Sequence, residues 1–249
     1  MAIINSVIVG GGGGSAPETQ YGINLKGWCG DINSSHLIRT DQAVGTLSVP
    51  GLVNIGGYQL TSKFTGSSGL VGTVSFPNLE GIDDYGLAST FENTNITGIS
   101  FPALTSVNQY GLNSAFANTK LTSAEIPCNW FSWGAFSYCF SNCSLLRNVS
   151  FRIPASAFTD FVIDQIGDAS MFVEGLFGGV FNNMIEGCTN CVVHFYENAW
   201  QVWNQYIREA TGGSSDYQTA QAWADAILPY IDGGSGQATN SVVFDISAS

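Results

Sequence analysis

Leu47-Ser48-Val49-Pro50 decides the fold, because the chain keeps returning to it. It comes back as Val74-Ser75-Phe76-Pro77, Ile99-Ser100-Phe101-Pro102 and Ala124-Glu125-Ile126-Pro127. Val149-Ser150-Phe151 repeats it without the proline, and Val193-His194-Phe195 repeats it last. The central residue falls at Ser48, Ser75, Ser100, Glu125, Ser150 and His194, in steps of 27, 25, 25, 25 and 44 residues. Near-equal steps of that size mark an architecture built by repetition. In each copy apolar residues flank the central one, the two-residue alternation of a strand with one buried face. The six central residues are therefore expected to form one outward ladder on a parallel sheet. The proline that follows in four copies has no N–H to offer a ladder and ends the strand.

Outward from the strand, each copy carries a second apolar pair: Leu52/Ile55, Leu79/Ile82 and Leu104/Val107. Then come Tyr58, Tyr85 and Tyr110, ahead of pairs spaced by four: Leu60/Phe64, Leu87/Phe91, Leu112/Phe116 and Phe136/Phe140. Spacing of four puts both members on one helical face, so a short helical or turn segment is expected. A polar bend closes each copy, as in Glu92-Asn93-Thr94, Ala117-Asn118-Thr119, Ser141-Asn142-Cys143 and Glu186-Gly187-Cys188. Asn and Gly suit positive φ there, and the Thr/Cys position suits a small packed side chain.

The run Phe140-Ser-Asn-Cys143-Ser-Leu-Leu-Arg-Asn-Val149-Ser-Phe151 resembles the BspA-type leucine-rich repeat, and Phe91-x-x-Thr94 and Phe116-x-x-Thr119 match it as well. The likeness spans Leu47 to Tyr196, about 60% of the chain. It implies an α/β solenoid, a leucine-rich-repeat-like stack with a parallel sheet and short helical segments, and says little about function. Cys128 to Gly134 departs from the pattern, because Trp130, Phe131 and Trp133 blur the register there.

The flanks divide the chain into three parts. Residues 1–20 read as a β-branched strand, Ile3, Ile4, Val7, Ile8 and Val9, followed by a glycine tether, Gly10–Gly14. No Lys-Ser/Thr follows the glycines, so the phosphate-loop motif is absent. Residues 21–196 form the repeat body, with Trp28, Cys29, Leu37 and Ile38 expected to cap its open end. The long step before His194 implies an inserted packed segment at about 152–184, whose Gly175–Phe181 stretch could join a subunit contact. Residues 197–249 read as a helical C-terminal cap. Its first helix runs from Ala199 to Ala210, and its second is capped by Ser215 or Asp216 and runs towards Leu228, where Pro229 disfavours helix. Val242–Phe244 is a last strand.

Composition narrows the functions. Charged residues are 10% of the chain, well below the usual quarter, and net charge is −12 with seven basic residues scattered singly. No basic patch exists to neutralise phosphates, which argues against nucleic acid as a partner, and no apolar run approaches a membrane span. Met1 to Val9 lacks a preceding Lys or Arg, and Asn5 and Ser6 break its apolar run, so no secretory signal is read there. Six cysteines are too sparse for a disulfide scaffold, so free thiols in a reducing cytosol are expected.

Cys188-Thr-Asn-Cys191 with His194 looks like half a zinc site, but Cys143 and Cys188 share a column with Thr94 and Thr119. That column asks for a small packed side chain, so no metal or other cofactor is expected. No nucleophile signature accompanies the two histidines. Asp83-Asp84, Glu125 and Asp160/Asp164 are the acids that could meet for glycoside chemistry. Three functions follow as expectations. The first is a non-enzymatic structural component of a bacteriophage particle, a fibre, spike or decoration subunit. It would be made in the host cytoplasm, self-associate, contact other virion proteins and bind a host-surface glycan or protein. The opening Ile-Ile-Asn-Ser-Val-Ile-Val-Gly-Gly-Gly resembles the starts of phage virion proteins. The alternatives are a bacterial surface adhesin with BspA-type repeats and a glycan-cleaving enzyme. For the first, the expected partner-binding residues are Ile3, Ile4, Val7, Ile8 and Val9 with Trp130, Phe131 and Trp133.

Overall fold

The computed structural model describes residues 45–49, 52–213, 217–234 and 239–247. The Ile3–Val9 strand, the glycine tether and the cap at Trp28, Cys29, Leu37 and Ile38 lie outside the described residues. Successive copies contribute a main strand and then a two-residue strand: β1 (Gly45–Ser48) and β2 (Asn54–Ile55), β3 (Leu70–Ser75) and β4 (Gly81–Ile82), β5 (Asn95–Ser100) and β6 (Ser106–Val107), β7 (Ser123–Ile126) and β8 (Trp130–Phe131). The fifth copy supplies β9 (Asn148–Phe151), and β10 (Val192–Tyr196) and β11 (Ser241–Ile246) follow. Among the described residues all pairings are parallel. One sheet runs β1-β3-β5, a second β7-β9-β10-β11, and the short strands make a third, β2-β4-β6-β8. The protein is thus an α/β fold of parallel sheets with short helices.

The segments after the short strands are not helical. Every fourth residue takes positive φ: Tyr58, Ser62 and Gly66 in the first copy, Tyr85, Ser89 and Asn93 in the second, Tyr110, Ser114 and Asn118 in the third. The chain makes consecutive four-residue turns instead. Alternate N–H groups close each turn, as from Gln59 to the Gly56 carbonyl and from Lys63 to that of Leu60, both 3.0 Å. The intervening N–H groups reach the next copy. Tyr58, Leu60, Ser62, Phe64 and Gly66 donate to the carbonyls of Asp84, Gly86, Ala88, Thr90 and Glu92 at 2.8–3.0 Å. This corrects the helical reading: a four-residue turn period places i and i+4 on one face just as a helix does. In the first copy every N–H from Tyr58 to Ser67 donates to a carbonyl, as buried chain requires.

That turn ladder aligns the core. Phe64, Phe91, Phe116 and Phe140 are fully buried and stack at centroid spacings of 5.5, 5.7 and 5.8 Å. Phe76 and Phe101 stack beside them at 5.6 Å, and Phe151 and Phe195 at 5.7 Å. Beyond the insertion the ladder resumes in step. Phe136, Tyr138, Phe140 and Asn142 donate to Val180, Asn182, Met184 and Glu186.

The inserted segment is helical. It comprises α1 (Ala155–Phe161), π-helical turns at Val162–Ile166 and Phe172–Phe177, a 3₁₀ turn at Ala169–Met171 and the single turn α2 (Gly178–Val180). It packs Phe158 and Phe161 on Phe131 of β8. Two helices lie between β10 and β11: α3 (Ala199–Thr211), ended by Gly212 at φ 68°, and α4 (Ala220–Ile231). The cap of α4 is Thr219, whose hydroxyl accepts the Ala222 N–H, and not Ser215 or Asp216. The helix also runs through Pro229, which sits in its last turn. Two carbonyls at that end, of Tyr230 and Ile231, accept the N–H groups of Asn183 and Ile185 at 2.8 Å and so terminate the turn ladder.

Candidate functional site

The strand columns place the central residues of the repeat side by side. Ser48 pairs in register with Ser75 and Ser75 with Ser100; Glu125 pairs with Ser150 and Ser150 with His194. Between Ser100 and Glu125 the ladder is interrupted, since β5 and β7 belong to different sheets. The column is partly or fully exposed along its length, in keeping with apolar neighbours turned to the core.

On the β7-β9-β10-β11 face this column joins a polar cluster. The Arg152 Nε lies 2.9 Å from the Glu125 carboxylate. His194 Nδ1 is 2.8 Å from the Asp245 carboxylate, and its Nε2 is 3.2 Å from the Asn148 side-chain oxygen. His194 therefore ties three adjacent strands together across their outer face. Asp245 was not legible as a partner, because 51 residues separate it from His194 and only the parallel pairing of β10 with β11 unites them. The remaining acids do not converge here. Asp83 accepts from the Asn108 amide and Asp84 from the Gln109 N–H on the turn side, while Asp160 belongs to α1 and Asp164 to the following π-helical turn.

A second exposed feature is a column of tyrosines. Tyr58, Tyr85 and Tyr110 stack at 4.8 and 5.0 Å, and Tyr58 is 63% exposed. The stack ends because the fourth copy has Gly134 in the tyrosine position, at φ 65°. A Cβ there would fall 2.1 Å from Tyr110 Cε1, so the Tyr110 ring occupies the space a side chain would need.

The aromatic cluster of the fourth copy separates into different environments. Trp130 stands outward on β8, 45% exposed, whereas Trp133 is partly buried against Phe161 and Gly179. Phe131, expected at a partner contact, is 2% exposed and packs among Phe136, Phe158, Phe161 and Phe181. It is a core residue, because the alternation along β8 turns it inward and the inserted segment covers it.

The described cysteines, Cys128, Cys139, Cys143, Cys188 and Cys191, are buried free thiols. Cys143 Sγ donates to the Phe116 carbonyl at 3.1 Å and Cys188 Sγ to that of Phe140 at 3.2 Å. Thr94 and Thr119 make the equivalent bond to Phe91 and Phe116 within their own copies, at 2.7 and 2.8 Å. Burial pushes all five thiols up, that of Cys191 to about 12, so the ionised form a metal needs is disfavoured. Among the described residues no group of three or more His, Cys, Asp or Glu is placed to hold a metal ion, and no helix is long and apolar enough to cross a membrane. No family model matches the chain, and neither the curated proteins nor the solved structures contain a match to it.

Proposed function

We propose that the copies form one continuous, leucine-rich-repeat-like solenoid, and that this solenoid is a non-enzymatic structural component of a bacteriophage particle. The observation that carries the reading is the asymmetry of the two ends of the turn ladder. One end is closed by the carbonyls of α4, with β11 added to the sheet beside it, while the other is the first described copy, with β1 at the edge of its sheet. A rod sealed at one end and joined to a β-branched segment and glycine run at the other suits a subunit that docks by its N-terminal segment. Residues Ile3–Val9 would add as a strand to a neighbour's sheet edge, and Gly10–Gly14 would let the body swing from that attachment. The scarcity of charged side chains favours close packing of copies, and the net charge of −12 keeps a free subunit soluble. Trp130, exposed at the outer face of β8, is the residue of the fourth copy's aromatic cluster that is placed for a contact between subunits or with a host surface. The test is incorporation into particles. Protein lacking residues 1–14 should fold and fail to incorporate, and normal incorporation of the truncated chain would remove the docking role.

A further inference from the structure

The residues that lead into the turn ladder, 53–58, 80–85 and 105–110, carry three carboxylates, Glu80, Asp83 and Asp84, three tyrosines and no Lys or Arg. All three acids are exposed. Asp83 accepts one bond, from the Asn108 amide at 3.2 Å, and Asp84 one, from the Gln109 N–H at 3.1 Å. The ion pairs among the described residues lie elsewhere, Arg152 with Glu125 and His194 with Asp245. Among those residues, Asp83 and Asp84 therefore keep spare acceptor capacity and have no counter-charge.

The tyrosine column is tied to these carboxylates. The Tyr58 N–H donates to the Asp84 carbonyl at 2.9 Å, which sets its ring on that of Tyr85, the next residue. Tyr85 is covered on both faces, by Tyr58 and Tyr110, and the Gly134 backbone lies against Tyr110. Tyr58 has a ring on one face only among the described residues and is 63% exposed, so its other face is open. The face is the negative part of an aromatic ring. A rim of main-chain acceptors runs beside it. In the second, third and fourth copies alternate carbonyls of the turn segment receive an N–H from the copy before. The equivalent carbonyls of the first copy, those of Gly57, Gln59, Thr61, Lys63 and Thr65, receive none among the described residues.

The open ring face, the rim carbonyls and the two carboxylates share one complement, a cation that donates hydrogen bonds. A glycan fits less well, because it needs several open ring faces and stacking within the column leaves one. Arginine fits better than lysine, since its planar guanidinium both stacks on an aromatic face and forks onto carboxylates. We propose that this face docks an arginine-bearing segment of a partner protein, with one guanidinium on the open face of Tyr58 and another on Asp83 and Asp84. The two positions are one to two copy spacings apart, about 5–10 Å. Residues i and i+2 of an extended segment point the same way about 6.8 Å apart, so Arg-x-Arg reaches both.

The test titrates the full chain at low salt with a terminally blocked Gly-Arg-Gly-Arg-Gly peptide and follows backbone amide resonances by NMR. Saturable shifts should centre on Gly57, Tyr58, Asp84 and Tyr85. Asp84→Asn keeps the acceptor for the Gln109 N–H, and Tyr58→Asn suits the φ of 57° at that position. Each should weaken binding at least ~3-fold, and the Gly-Lys-Gly-Lys-Gly peptide should bind at least ~3-fold more weakly than its arginine counterpart. Glu209→Gln, which removes an exposed carboxylate of α3, should change binding less than ~2-fold. Equal weakening by Glu209→Gln would overturn the proposal by assigning the binding to net charge. Absence of saturable shifts at these residues would overturn it outright, and equal binding of the lysine peptide would remove the guanidinium stacking. Shifts at Tyr58 produced by cellotetraose in place of the peptide would assign the face to a glycan. None of these readouts involves particle incorporation, so this inference and docking by residues 1–14 fail independently.

Discussion

Replacing Phe116 with alanine tests the packing most directly. The ring is fully buried between Phe91 at 5.7 Å and Phe140 at 5.8 Å, and it tilts against Phe101 at 6.1 Å. A buried Phe→Ala change costs about 3–5 kcal/mol through lost transfer energy and residual cavity. Stacked rings on both sides place Phe116 in the upper part of that range, since each ring pair adds about 0.5–1.5 kcal/mol beyond area burial. Phe64 supplies the internal comparison. It is equally buried but stacks on Phe91 alone among the described residues, so Phe64→Ala should cost less by two ring pairs, about 1–3 kcal/mol. Urea denaturation of both variants gives the difference directly, and hydrogen exchange should report weakened protection in the copies on either side of Phe116. A loss under about 1 kcal/mol for Phe116→Ala, or a larger loss for Phe64→Ala, would refute the stacked-column account.

Other outcomes follow from the same geometry. Asn118 has φ 57°, so Asn118→Val should destabilise by about 1–2 kcal/mol while Asn118→Gly stays within about 0.5 kcal/mol of the parent, both read by urea midpoint. Gly134→Ala combines positive φ with a Cβ placed against the Tyr110 ring. It should lose at least ~1 kcal/mol and change the near-ultraviolet dichroism of the tyrosines. Alkylation at pH 8 should leave the five described cysteines unmodified until the chain unfolds, because burial removes the thiolate; rapid labelling of any of them in the folded protein would contradict that. Stability should also fall with pH above the ordinary thiol value of 9.0. From there towards about 12 the unfolded chain releases the Cys191 proton that the folded chain retains, and below 9.0 this contribution is constant. A stability curve that rises across that interval would reverse the sign.

The strands were readable because their signal is local. Two apolar residues flank a central one and a proline follows, and the central column pairs in register within each of the two sheets built from the main strands. The polar bends were readable for a similar reason, since Asn93, Asn118, Asn142 and Gly187 do carry positive φ. The turn segments misled because Leu60/Phe64 and its equivalents have helical spacing, while the residues that bend the chain include Tyr and Ser, which do not announce a left-handed conformation. The partners that hold those turns lie 23–26 residues away in the first three copies and 44–45 in the fourth, out of reach of any local pattern. Pro229 misled in the opposite direction. A proline in a final turn removes little from a helix whose end carbonyls are taken up by Asn183 and Ile185. Phe131 was read with its aromatic neighbours, when the alternation Trp130-out, Phe131-in already separated them. The bond from His194 to Asp245 depends wholly on which strand is laid beside β10.

The turn ladder has an electrical consequence. Its N–H groups that link copies point towards the C-terminal end, and the carbonyls they meet point back. Each peptide unit carries a dipole of about 3.5 D, and units aligned head to tail add, as they do along a helix axis. The ladder therefore has a negative pole at the Gly57–Thr65 rim and a positive pole at Asn183 and Ile185. α4 presents its own negative pole, the carbonyls of Tyr230 and Ile231, to that positive end. The closing helix is thereby oriented by charge as well as by shape, and the opposite rim attracts donors and cations and repels the carboxylates in which this chain is rich.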